Sequence, residues 1–368
     1  VGKKLIFVLT EDWYFVSHRL ALAVAARHAG FDVAVVTRCG SSRQAIEDAG
    51  LRVIPFEMNR RGLNPIALLR EALVLAGIYR REKPDVIHLV AMRPVIVGGL
   101  AARLARISRV VFAVTGMGYL FTNDARLPLV RKVVQYVLPR LLSRGVTIVQ
   151  NNDDARQLVA FGLGPNQIRL IAGAGVDTEH FNPLPIAAGA PIVMMASRLL
   201  LDKGVTEFVE AARSLRGRGV RFVLVGSIDT DNPASISEVD LKAWVTESVV
   251  EWWGHSADMA VTLTQATIVC LPSYREGLPK VLLEAMSCGK ACISTDVPGC
   301  REAVRHEDNG MLVPAKDAVA LSVAIGWLLD HPASIQKMGA RGRQRAIEEF
   351  SQERVVYATL AVYREVLA

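Results

Sequence analysis

Between Ser273 and Glu284 the chain reads Ser-Tyr-Arg-Glu-Gly-Leu-Pro-Lys-Val-Leu-Leu-Glu, with two carboxylates, Glu276 and Glu284, on either side of a Gly-Leu-Pro-Lys turn. Pro279 suits the first position of a helix and Gly289 the residue just past its last turn, so Glu276 belongs to a loop and Glu284 to the helix after it. The open N–H groups and dipole at that helix start, beside Gly277, make a place for an anion. At the helical rise the two carboxylates stand about 8 Å or more apart. That span suits the two ends of one ligand with an anionic middle: hydroxyls of a hexose at one carboxylate, a ribose at the other. Two solvated glutamates on a surface helix have the same spacing, so the pair alone leaves both readings open. A second group, Ala196-Ser-Arg198-Leu-Leu-Leu-Asp-Lys203-Gly204, follows an apolar run and brings an Arg and a Lys to the carboxyl end of a strand. There they would neutralise a diphosphate, although either residue alone also fits an ordinary surface charge.

These groups need a scaffold, and the apolar pattern supplies one. Short runs rich in Val and Ile fall at Leu5–Thr10, Asp32–Thr37, Arg52–Glu57, Val86–Ala91, Val110–Thr115 and Thr147–Asn151, and helical periodicity separates them, as at His18–His28 and Leu68–Arg81. The pattern restarts at Ile192–Ala196 and continues through Arg221–Val225, Val249–Trp253, Thr267–Leu271, Ala291–Thr295 and Met311–Val313. Continuous rather than alternating apolar strands indicate parallel sheets covered on both faces. Two doubly wound α/β domains follow, with Gly173–Ala190 as the hinge between them. The expected boundaries are 1–175 and 176–349, with a last helix at about 350–368 packing back on the first domain. Ligands of such sheets bind beyond the carboxyl ends of the strands, so two facing sheets would offer a cleft.

The 368 residues, 51% of them hydrophobic and 21% charged, exclude disorder and collagen-like repeats. Five cysteines with no CxxC pair and no histidine at metal-site spacing read as reduced, cytoplasmic thiols. Mean hydropathy is +0.28, yet no apolar run reaches the roughly 18 residues of a spanning helix. The run Leu5–Leu9 is too short for a signal peptide and meets Glu11-Asp12. Charge is uneven: residues 1–185 hold 24 Lys/Arg against 14 Asp/Glu, and residues 186–368 hold 19 against 22. Nucleic acid, an acidic bilayer surface and a phosphorylated substrate all fit the sign of the basic half.

Arg198, Lys203, the spaced pair Glu276 and Glu284, and the run from Glu284 through Asp296-Val-Pro-Gly-Cys-Arg-Glu302 together resemble glycosyltransferase family 4, retaining enzymes with the GT-B fold. The likeness covers nearly the whole chain, since Gly175-Val-Asp-Thr-Glu-His-Phe181-Asn-Pro resembles the family's interdomain segment and Asn309-Gly310-Met-Leu-Val its late strand. Ser17-His18-Arg19, Thr115-Gly-Met-Gly118-Tyr-Leu-Phe121, Asn232-Pro-Ala-Ser-Ile-Ser and Val249-Val-Glu-Trp-Trp-Gly-His255 look like the bacterial branch that adds an N-acetylhexosamine to a sugar carried on undecaprenyl diphosphate. Two departures stand out: many members carry a Gly-Gly turn where this chain has Thr10-Glu11-Asp12-Trp13-Tyr14-Phe15, and a His where it has Thr115.

The resemblance implies transfer of a hexose or N-acetylhexosamine from a UDP-sugar, held by the second domain, to a polyprenyl-diphosphate-linked acceptor held by the first. Arg198, Lys203 and Glu276 would then be the catalytic residues, and Gly277, Leu278, Pro279, Lys280, Glu284 and His255 would bind the donor. Trp13, Tyr14, His18, His88, Arg60 and Arg61 are the acceptor candidates; His18 and His88 fit a partly buried structural histidine equally well. Asp229-Thr-Asp231 matches a metal-binding DxD, a chance match in polar loops, and with Arg198 and Lys203 at the diphosphate no metal or other cofactor is expected. Within Arg126–Arg144, Leu127, Val130, Val134, Val137, Leu138 and Leu141 recur at helical spacing beside five basic residues. Such a helix can lie on an anionic membrane or pack on its own domain, with Pro139 as a kink in either case. The expected location is the cytoplasmic face of the membrane, peripherally bound, with no nucleic-acid partner. A soluble acceptor and a nucleotide-sugar epimerase remain as alternatives; an NAD oxidoreductase is disfavoured because no GxGxxG follows the first strand.

Overall fold

A computed structural model of the chain describes residues 2–58, 64–117, 128–184, 189–229 and 232–368. The chain divides into two compact units, Val1–Ala174 with Glu353–Ala368, and Gly175–Gln352.

In the first unit the elements run β1 (Lys4–Glu11), α1 (Asp12–His18), α2 (Leu20–His28), β2 (Asp32–Arg38), α3 (Arg43–Asp48), β3 (Arg52–Pro55), α4 (Pro65–Glu82), β4 (Val86–Val90), α5 (Met92–Leu104), β5 (Val110–Val114), α6 (Pro128–Leu142), β6 (Val146–Val149), α7 (Asn152–Ala160) and β7 (Ile168–Leu170). Its described strands form one parallel sheet in the order β3-β2-β1-β4-β5-β6-β7. Alternation along β1 feeds two cores. Ile6 and Val8 pack with Leu75 and Tyr79 of α4, Val95 of α5 and Leu138 of α6. Leu5, Phe7 and Leu9 face the other way, onto α1, α2 and the last helix of the chain.

The second unit runs β8 (Ile192–Ala196), α8 (Val205–Ser214), β9 (Arg221–Val225), α9 (Glu238–Thr246), β10 (Glu251–Trp252), α10 (Met259–Thr264), β11 (Ile268–Leu271), α11 (Lys280–Ser287), β12 (Ala291–Thr295), α12 (Cys300–Ala303), β13 (Gly310–Val313), α13 (Ala318–Asp330) and α14 (Pro332–Phe350). Its sheet order, β10-β9-β8-β11-β12-β13, repeats the doubly wound pattern of the first, and every described pairing is parallel. The last helix, α15 (Gln352–Leu367), lies almost wholly in the first unit and buries Val355, Val362 and Tyr363 there.

Three details depart from the sequence reading. The helix expected over His18–His28 is broken at Arg19, because the buried guanidinium turns to donate to the Gly173 carbonyl at 2.9 Å. The turn before it is itself helical, α1. Strand β7 has only three residues, too short for a periodicity to register. At the hinge, Gly175 has φ +69° and a Cβ there would come 2.8 Å from Gln352 Cα, while Val176 N–H donates to the Phe350 carbonyl and Gln352 N–H to the Val176 carbonyl, each at 2.9 Å.

Candidate active site

Strands β8 and β11 are neighbours where the winding of the second sheet reverses, and the loops that follow them leave the same end of the sheet. These loops carry Arg198 and Lys203 after β8, and Glu276 to Pro279 after β11. Three glycines let the loops close on one another. A Cβ at Gly204 (φ +78°) would stand 2.1 Å from the Pro272 carbonyl oxygen, and one at Gly299 (φ +80°) 2.4 Å from that of Gly277. At Gly226 (φ +140°) it would stand 1.9 Å from the Ser197 oxygen. Side chains finish the job: the Tyr274 hydroxyl donates to Glu207 at 2.5 Å, Ser273 donates to the Asp202 carbonyl at 3.2 Å, and Thr295 donates to the Ser273 carbonyl. Gly226 is the residue the sequence reading missed; a glycine directly after the Arg221–Val225 run was its only signal.

Within that frame each expected carboxylate meets a lysine. Lys203 Nζ lies 2.5 Å from Glu276 Oε1, with both side chains more than four-fifths buried. Lys280 Nζ lies 2.5 Å from Glu284 Oε1 one helical turn on. Glu284 is buried, and the loss of solvent raises its pKa above the ordinary glutamate value against the pull of Lys280 and His180. Arg198 is half exposed and pairs with Asp229 at 3.3 Å. Asp229 is thus the acid of the DxD match that meets Arg198; Asp231 lies outside the described residues.

Pro279 caps α11 one position earlier than expected, so the helix begins at Lys280. Of the first-turn N–H groups, that of Leu282 donates to the Pro279 carbonyl at 3.1 Å, and those of Lys280 and Val281 stand at the helix start beside buried Gly277, half-buried Leu278 and buried Pro279. At the other end Gly289 has φ +70°, with Gly289 and Lys290 donating to the Met286 and Ala285 carbonyls. That is a Schellman close in the place the glycine indicated. His255 is exposed in the loop after β10, and that loop is drawn to β9 by a 2.7 Å bond from Gly226 N–H to the Gly254 carbonyl. Ammonium groups, a guanidinium and a helix start to meet phosphate charge, with two carboxylates to accept from hydroxyls, make a set suited to a nucleotide diphosphate bearing a sugar.

In the first unit, α1 follows β1 directly and presents an aromatic platform. Tyr14 stacks on His18 one turn later with centroids 4.2 Å apart, and Trp13 meets Tyr14 edge-on at 6.0 Å. Trp13 is exposed, and Ser17 Oγ lies 2.6 Å from His18 Nδ1. Where a Gly-Gly turn is common in family 4, Asp12 is 2% exposed, and its carboxylate accepts from the N–H groups of Trp13, Gly40 and Ser42. His88 is a correction. It is 1% exposed, its Nδ1 lies 2.5 Å from the Tyr363 hydroxyl, and it packs on Phe7, so it anchors α15 and offers no surface to an acceptor. A strand residue of a sheet covered on both faces points into a core, and His88 does so toward α15. Arg60 and Arg61 lie outside the described residues, as do Gly118 to Phe121.

Two doubly wound units, with cations and carboxylates grouped at the reversal of the second, define a glycosyltransferase of the GT-B fold. Residues 176–345 match the model described as glycosyl transferases group 1, and residues 4–150 match glycosyl transferase 4-like. The chain is 29% identical over 95% of both sequences to the N,N'-diacetylbacillosaminyl-diphospho-undecaprenol alpha-1,3-N-acetylgalactosaminyltransferase of Campylobacter jejuni. It is 30% identical, over 82% of this chain and 74% of the relative, to the MMP alpha-(1->4)-mannosyltransferase of Mycolicibacterium hassiacum. The crystal structure of the Anabaena protein HepE in complex with UDP and glucose superposes with TM-score 0.81 at 18% identity, covering 98% of this chain and 99% of that one. The chain belongs to glycosyltransferase family 4.

Proposed function

We propose that this glycosyltransferase moves a hexose or N-acetylhexosamine from a UDP-sugar to a sugar carried on undecaprenyl diphosphate, with retention at the anomeric carbon and without a metal. The observation that carries the reading is the pair of lysine–carboxylate contacts, Lys203 with Glu276 and Lys280 with Glu284, on either side of the α11 start. The Campylobacter relative, matched along nearly its whole length, supports the lipid-linked acceptor.

The second unit holds the donor. Glu284 accepts from the ribose hydroxyls and Glu276 from the hexose, while Arg198, Lys203 and the first-turn N–H groups of α11 take up the charge that grows on the diphosphate as the glycosidic C–O bond breaks. The acceptor hydroxyl attacks from the face the diphosphate leaves. Its oxygen forms the new bond to the anomeric carbon, and its proton passes to a phosphate oxygen of the departing UDP. Charge is then met by Arg198, Lys203 and the helix start, so EDTA is expected to leave the rate unchanged. The first unit presents Trp13, Tyr14 and His18 to the acceptor sugar, apolar ring faces with polar edges. The site lies at the cytoplasmic face of the membrane, to which the basic first unit is drawn.

The test is UDP release from a panel of UDP-sugars, with and without an undecaprenyl-diphosphate-linked sugar, comparing the native chain with Lys203→Ala and Glu276→Ala. Release that needs the lipid-linked acceptor and collapses in both variants is the expected result. Release with a soluble acceptor alone would move the enzyme to another branch. Turnover of donor to an epimer without acceptor would overturn transfer itself.

A further inference from the structure

Helix α4 leaves an apolar face uncovered. Ile66 is 79% exposed, Leu69 49%, Leu73 52% and Val74 52%. With Arg70, Arg80 and Arg81, also exposed, these positions fall on one arc of about 140° at helical spacing. The opposite side of the same helix buries Ala72, Leu75, Ala76 and Tyr79, so α4 is amphipathic twice over, with one apolar side facing the core and another facing out. Its two acids lie off this arc. Glu71 is held by both oxygens to Arg93 at 2.8 Å, and Glu82 is held to Arg52 at 2.6 Å and also meets Arg81 at 3.4 Å. Arg80 donates to the Leu104 carbonyl at 2.7 Å and keeps its charge, so the outer arc presents aliphatic side chains with guanidinium groups in excess over carboxylates.

We infer that α4 is the helix by which the first unit rests on an anionic bilayer, its outer aliphatic side chains among the acyl chains and its arginines at the headgroups. The inference rests on the lipid-linked acceptor proposed above. Charge selects the partner: an in-plane helix with this composition suits a surface of anionic lipid, and a water-facing role would leave the four aliphatic groups exposed without purpose. Helix α6 packs on the same side of the sheet and adds a second, weaker contact, with Tyr136 63% and Val137 50% exposed and Arg140 stacked 3.4 Å from the Tyr136 ring centroid. The membrane reading of the sequence lay on α6 alone, yet α6 turns Leu138 and Leu142 into the core. The exposed aliphatics of α13, Val319 and Val323, make a poorer candidate, because Asp317 and Asp330 bracket that helix.

Position favours the same partner. The sheet is parallel, so the start of α4, where Ile66 and Leu69 lie, and the aromatic platform of α1 both stand beyond the carboxyl ends of the strands. A polyprenyl chain kept in the bilayer by its length would present its diphosphate and sugar on that side.

The experiment is sedimentation of the full chain with vesicles of phosphatidylcholine alone and with one third phosphatidylglycerol, at low and high salt. The native chain is expected to favour the anionic vesicles about tenfold and to lose that preference in salt. Leu69→Glu with Leu73→Glu should lower vesicle binding at least about tenfold; both sites are exposed, so the circular dichroism and melting temperature should hold. The fluorescence of a Leu73→Trp variant should be quenched by doxyl-labelled lipid. Equal binding by native and double variant, with no quenching in Leu73→Trp, overturns the role of α4 and leaves the lipid-linked acceptor standing. No binding by the native chain, with transfer to a detergent-dispersed lipid-linked acceptor intact, overturns membrane docking without touching the reaction. A native dimer that the double variant turns into a monomer would assign the face to a second copy and overturn the inference.

Discussion

Lys203 does two things from one position: it sets the Glu276 carboxylate at 2.5 Å and supplies a cation beside the proposed diphosphate. Lys203→Ala is therefore expected to lower kcat about 10²–10³-fold, the usual cost of removing a preorganised charge-stabilising group, with a smaller effect on donor KM. Lys203→Arg restores the charge but not the compact ammonium, and should recover only part of the rate. Glu284 gives a pH signature. Burial raises its pKa, and the ribose hydroxyls need its carboxylate form, so donor KM should climb as pH falls through a value above the ordinary glutamate range. A folded carboxyl with a raised pKa binds its proton more tightly than the unfolded chain. Protonating it therefore adds stability, so the Glu284 group itself contributes no fall in melting temperature at the step where KM rises. In Glu284→Gln the KM is expected to be high and flat over the same range, which steady-state kinetics across pH would check.

Elements hold these residues by close backbone approaches and by buried polar contacts, and both can be broken singly. Gly204→Ala would put a methyl group 2.1 Å from the Pro272 oxygen at a φ of +78°, so a loss of about 2–4 kcal/mol in denaturant unfolding of the second unit is expected. His88 and Tyr363 tie α15 to β4. Tyr363→Phe leaves the histidine nitrogen without its partner and should cost about 1–3 kcal/mol. Burial depresses the His88 pKa, and Nε2 has no hydrogen-bond partner among the described residues to receive a second proton. The unfolded chain takes up that proton below about pH 6.5 and the folded one does not, so stability falls as pH drops through that value toward the depressed folded pKa. His88→Gln should remove this slope in melting temperature between neutral pH and about pH 5.

At the scale of the molecule the chain makes two units from one doubly wound plan and then returns its last sixteen residues to the first. Val355, Thr359, Val362 and Tyr363 are all buried there. Deleting Glu353–Ala368 should open that core. Hydrogen exchange is expected to show lost protection in β1, β4 and β5, while the second unit keeps its protection and its affinity for UDP. Loss of protection spread evenly over both units would mean that they fold as one.

The parallel sheets, their number and the order of units were legible in the chain, because buried strands read as short runs of Val and Ile and the pattern visibly starts twice. Most strand bounds agree within one or two residues. The loop and helix from Ser273 to Gly289 could be read for the same local reason: a proline, a glycine and the groups between them act over a few residues. What depends on distance in sequence could not. The 2.5 Å contact between Lys203 and Glu276, the approach of Gly226 to Ser197, and the descent of His88 into a core closed by Tyr363 each join residues between 29 and 275 positions apart. Periodicity tells a residue which face of its own element it occupies. Only the packed structure decides what covers that face: for β4 it is the end of the chain, and for the outer side of α4, within the described unit, nothing does.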